Sequence, residues 1–155
     1  MKIYKFYNMT FEASLNVVVN CSWKEFVKAT DKVMGEPWED AGDERSSEGF
    51  YIMLTSKDKK KVRQFVWIEK FDWTVYDMAK MVHELCHWVV STFNDKGIPV
   101  AYENQETMAY TMQWAVLQVF TKLKPKKPII NKKKHVKHQA HGKLPGGKGR
   151  RNRQN

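Results

Sequence analysis

Cysteine is almost missing from this 155-residue chain, with Cys21 and Cys86 its whole complement. A disulfide framework is therefore excluded, and two reduced thiols in a cytosol-like compartment are expected. No long uninterrupted apolar run occurs, so no membrane-spanning helix is expected. The opening MKIYKFYNMT interleaves charges with aromatics where a signal peptide would carry an apolar stretch, so a cytoplasmic location is expected. Histidine is scarce as well, and three of the five, His135, His138 and His141, lie near the C-terminus. Aromatic residues are not scarce. Six Trp, eight Phe and six Tyr in a chain that is 42% hydrophobic are enough to bury one core of ordinary size.

The formal net charge of +10 would suggest a nucleic-acid partner if it were spread over the whole chain, but it is not. From Lys122 onward there are thirteen Lys and Arg and no Asp or Glu, which leaves fourteen basic and seventeen acidic residues before it, a body of about −3. The basic stretch holds three of the five Pro and few apolar residues, too few to offset the entropy of ordering it. Two segments follow: a globular domain over 1–123 and a basic, disordered tail over 124–155. Such a tail can meet a polyphosphate backbone by counterion release, or an acidic protein surface, and it lacks the interleaved aromatics that stack on single-stranded bases. One acidic surface lies within the chain itself, the loop from Glu36 to Glu48, with six carboxylates against a single Arg.

Along the body, ASLNVVVNC over 13–21 reads as a strand. Ser22 then caps a helix through WKEFVKATDKVM that stops at Gly35. GFYIMLTS, the turn-rich SKDKKK and KVRQFVWIEKF make a β-hairpin. Thr74 caps the next helix with Asp77 as the acidic half of a capping box, and Gly97 and Pro99 end it. Its apolar positions Val75, Ala79, Val82, Cys86, Val89, Val90 and Phe93 fall at helical spacing and are read as its buried stripe. A last helix over about 104–122, capped by Asn104, buries Met108, Ala109, Met112, Ala115, Val116, Val119 and Phe120. The expected class is α+β, a small sheet of one strand plus a hairpin with helices.

Inside the second helix stands MVHELCHWVV. Residues four apart share a helix face, so the imidazoles of His83 and His87 can both reach one ion, with Glu84 beside it. Hydrolytic zinc wants three protein ligands, one open position for water, and a carboxylate near that water to take its proton. His83 and His87 are thus candidate ligands and Glu84 a candidate general base. Their neighbours Val82, Leu85, Cys86, Trp88 and Val89 are uncharged, and the body holds no other histidine. Cys86 is read as core, on the side away from the histidines. The third ligand is not a histidine six residues on, where Phe93 stands; a glutamate from the next helix is the other solution. Glu106, 19 residues after His87 and across a turn, is preferred, with Glu103 the second choice. An acid in a first helical turn also serves the helix dipole with no metal at all, and that reading of Glu106 stays open.

HELCH followed across a short turn by ETMAY resembles the zincin metallopeptidases, and within them the gluzincin branch, in which a glutamate from the next helix completes the zinc site. It is similar also to small zincin-like proteins encoded by bacteriophages. The likeness covers residues 75–120. It implies one zinc ion held by His83, His87 and Glu106, Glu84 as the base of peptide hydrolysis, and a strand edge beside the active helix that receives an extended peptide, here within Gln64 to Ile68. One departure stands out: Tyr110 occupies the place of the aspartate that orients a ligand in some members. The other reading the sequence supports is a zincin-fold protein without turnover, a phage structural or nucleic-acid-binding protein that works through residues 122–155.

Overall fold

A computed structural model describes residues 1–38 and 48–123. The acidic loop between them and the basic tail, with His135, His138 and His141, lie outside the described residues. The class is α+β, a four-stranded mixed sheet with helices on both faces. In chain order the elements are β1 (Lys2–Asn8), β2 (Ala13–Val19), α1 (Trp23–Met34), β3 (Gly49–Thr55), β4 (Val62–Ile68), α2 (Val75–Asp95) and α3 (Gln105–Leu123). A single 3-10 turn, Tyr102–Asn104, runs directly into α3.

The sheet order is β1-β2-β4-β3, with β2 and β4 parallel and both outer pairs antiparallel. The two central strands carry the near-continuous apolar runs that burial on both faces demands, NVVV and FVWI, while β1 alternates. The sequence reading of one strand plus a hairpin missed β1. Its lysines and tyrosines hid a period-two pattern in which Phe6 and Asn8 point inward and Lys5 and Tyr7 outward. A further correction concerns Gln64 to Ile68: β4 is paired on both sides, so it offers no edge to a peptide. The edge beside α2 is β3, whose outer side has no partner strand among the described residues.

On one face α1 lays Trp23 and Phe26 against Phe50, Phe65 and Trp67, ring centroids 5.3 to 6.0 Å apart. Ser22 and Glu25 close a capping box at its start, and Gly35, with φ of 82°, takes the left-handed turn at its end. On the other face α2 and α3 cover Leu15, Val17, Val19, Val66 and Ile68. Residues 49, 51, 53 and 55 of β3 point to that same face, as their partners in β4 show.

The start of α2 is fixed by several polar contacts at once. Thr74 and Asp77 exchange the two bonds of a capping box, and the Asp77 carboxylate also accepts the Asp72 amide at 2.9 Å. Just before them Trp73 holds a left-handed φ of 64°, a conformation costly for a bulky side chain, with its ring packed on Phe71 and Phe120. At the far end the Ile98 amide bonds the Phe93 carbonyl and the Gly97 amide that of Asn94, a Schellman motif with Gly97 at φ of 66°.

The stripe α2 buries is not the one its spacing suggested. Met81, Leu85, Trp88, Val89 and Phe93 face the sheet, whereas Val75, Ala79, Cys86 and Val90 lie at the surface. The apolar residues of this helix nearly encircle it, so two faces compete in the pattern, and the bulkier one, with Trp88 and Phe93, takes the core. Cys86 is exposed, against the expectation of a core thiol. In α3 the buried residues are Thr111, Ala115 and Val119, and Ala109 is exposed. Nor does Asn104 cap that helix, because its side-chain amide donates to the Pro99 carbonyl.

Leu85→Ala removes a side chain with no exposure and is expected to cost about 2–5 kcal/mol in urea unfolding. Val75→Ala, at a position 80% exposed, should stay within about 0.5 kcal/mol. Burial pushes the Asp77 carboxyl up, but the Asp72 and Thr74 amides and the Thr74 hydroxyl outweigh it and hold it below the ordinary value. The stability this contributes is present above about pH 3.9, the ordinary aspartate value, and is lost as pH falls through the lower native value. Asp77→Asn should therefore flatten the acid side of a stability–pH curve below about pH 4.

Candidate metal centre

With the bulky stripe of α2 turned to the sheet, the opposite side must carry the histidines. His83 and His87 are both exposed. Their Nε2 atoms stand 3.1 Å apart, with ring centroids 4.8 Å apart and ring planes at 84°. The rings therefore do not stack; they bring their Nε2 atoms face to edge into contact. Two nitrogens each about 2.0–2.1 Å from a tetrahedral ion sit roughly 3.3–3.4 Å from one another. The observed separation is near that value, and it also suits one imidazole donating to the other. The pair fits zinc as two of its ligands.

Glu84 is turned about 100° around the helix from His83, towards β3. Two contacts fix that direction. Lys80 lies along the start of β3: its Nζ meets the Glu48 carboxylate at 2.6 Å, and a Cβ built on Gly49 would stand 3.2 Å from Lys80 Cδ. Further along, Ser91 lies beside the Tyr51 hydroxyl of β3. Lys80, Glu84 and Ser91 share one line on the helix, so Glu84, only 7% exposed, sits between the histidine pair and the edge strand. A carboxylate in this place is shielded from bulk water and lies on the side of α2 that faces the edge strand.

Polar atoms without partners gather under this part of the helix. Among the described residues, Tyr51 Oη and Trp88 Nε1 are buried without a partner in good hydrogen-bonding geometry, although Ser91 stands beside the Tyr51 hydroxyl. Burial, with the Asp95 carboxylate nearby, raises the Tyr51 phenol above its usual range, and Ser91 only partly opposes this. Trp88 follows Glu84 by one turn and stacks on Trp114 at 6.0 Å. Neither Tyr51 nor Trp88 carried a functional signal in the sequence. Only the four-residue spacing of Lys80, Glu84 and Trp88 hinted that they share a side.

The carboxylates of the next helix are placed differently. Glu103 and Glu106 are both exposed, and no three His, Cys, Asp or Glu side chains converge among the described residues. The structure thus brings His83 and His87 together, turns the neighbouring Glu84 inward on the same helix, and does not bring Glu106 or Glu103 to the pair. Tyr110 is 67% exposed on the outer side of α3. Between the two helices lies a shallow apolar groove of about 230 Å3, lined by Cys86, Val89, Val90, Met108, Ala109 and Met112. No helix among the described residues is long and apolar enough to cross a membrane.

An orphaned buried hydroxyl is a liability of about 1–3 kcal/mol. Tyr51→Phe should therefore leave stability unchanged or raise it by up to about that amount in chemical denaturation, and a loss of stability would contradict the missing bond. Compared with known proteins, the chain matches no family model, no curated protein and no solved structure.

Proposed function

We propose that this protein is a zinc-dependent metallopeptidase, a reading that rests on one observation above others, the convergence of His83 Nε2 and His87 Nε2 at 3.1 Å on the exposed side of α2. His83 and His87 would hold the ion, with Glu106, expected from the sequence as the third ligand, not brought to the pair in this structure. Bound zinc supplies a Lewis acid that polarises a carbonyl and lowers the pKa of a water. Glu84 would be the group that takes up the proton of the attacking water and returns it to the departing amine. The β3 edge, Gly49–Thr55, aligns an extended peptide by backbone hydrogen bonds next to Glu84. Lys80, held by Glu48, keeps α2 in register with that edge.

A second reading is favoured by the charge distribution. Thirteen basic residues without an acid from Lys122 onward, on a body of about −3, suit a protein that carries zinc without turnover and holds nucleic acid or an acidic surface through its tail, as a phage structural component would.

Zinc content by mass spectrometry and hydrolysis of peptides separate the two. The peptidase reading expects Glu84→Gln to keep its zinc and lose about 100- to 10,000-fold in turnover, and His83→Ala to lose both. Glu106→Gln should weaken zinc retention, whereas Glu103→Gln should not. Zinc bound by the wild type and lost from His83→Ala, with hydrolysis in no variant, would favour the second reading, and wild-type protein that takes up no zinc would overturn both.

A further inference from the structure

The outer face of α2 carries more than its histidines. Tyr76, Ala79, His83, Cys86 and Val90 are all exposed and follow one another at steps of three, four, three and four residues. That is the spacing of a helix seam that packs against a second helix, and none of these residues carries a fixed charge. The one cation on the margin, Lys80, has its charge met by Glu48 at 2.6 Å and keeps only 14% of its side chain exposed. Tyr76, 68% exposed, is covered on one side by the Lys80 ammonium at 4.7 Å. An apolar groove continues the face towards α3.

At the centre of this seam stands a half-site. Two imidazoles supply half of a tetrahedral zinc shell, and a two-fold axis passing between His83 and His87 would supply the identical other half. We propose that two copies of this chain share one zinc ion through four imidazoles, His83 and His87 of each, with the outer faces of α2 packed antiparallel around it. The inference rests on the histidine pair as metal ligands, the same premise as the peptidase reading, but it concerns a different state. Four imidazoles leave no position for water, so the paired form is one without turnover, and dissociation into single chains frees the site.

Sedimentation velocity of the full chain, with zinc measured per chain, tests this. Added zinc is expected to double the mass and to saturate at one ion per two chains. His83→Ala and His87→Ala should stay single with zinc present. Ala79→Glu keeps both imidazoles but sets a charge in the seam, and should bind zinc without doubling in mass. Zinc bound at one ion per chain with no change in the wild-type mass would overturn the pairing and leave the metal site standing. No zinc bound at all would overturn the site itself. Doubling that persists in the histidine variants would also overturn the proposal, since the ion would then be held elsewhere.

Discussion

The packing of α2 on the sheet decides the rest. Met81, Leu85, Trp88, Val89 and Phe93 are each almost wholly buried, and at roughly 1.5–3 kcal/mol for each large apolar side chain this contact holds the rotation of the helix. Once that rotation is set, His83 and His87 must face out, Glu84 must lie towards β3, and Cys86 and Val90 must stand beside α3. The reactive candidates are thus positioned by residues that take no part in any chemistry. The same contact explains the Thr74–Asp77 box and the left-handed Trp73, which direct the chain into α2 at the angle this packing needs.

Much of the architecture could be read before any coordinates. Ser22, Thr74 with Asp77, and Gly35 and Gly97 mark helix ends by local chemistry, and all four signals hold in the structure, where Glu25 completes the box at Ser22. Such signals are legible because cap and turn bonds form between residues close in sequence. What depends on distant partners was less legible. β1 is a strand because Val17, Val18 and Val19 of β2 pair with it, which its own lysines and tyrosines do not reveal. The order β1-β2-β4-β3, which moves the free edge from β4 to β3, likewise follows from long-range pairing.

The site divides in the same way. The approach of His83 to His87 is a consequence of four-residue spacing on one helix and was legible at once. The side of α2 on which Cys86 falls was not, because the helix is apolar on nearly all sides and only the bulk of Trp88 and Phe93 chooses the core face. Glu106 shows the limit most clearly. Its distance from His87 in sequence suited a return helix, but the 3-10 turn Tyr102–Asn104 and the rotation of α3 leave its side chain on the surface.

The central claim is that metal is taken by the pair of nitrogens on α2 and not by the three histidines near the C-terminus. Nitrogen-15 NMR of the imidazole side chains during a zinc titration tests it most directly. The account predicts that the Nε2 resonances of His83 and His87 move together and saturate at no more than one ion per chain, while His135, His138 and His141 stay in place. Movement of the three C-terminal histidines with His83 and His87 unchanged would contradict it.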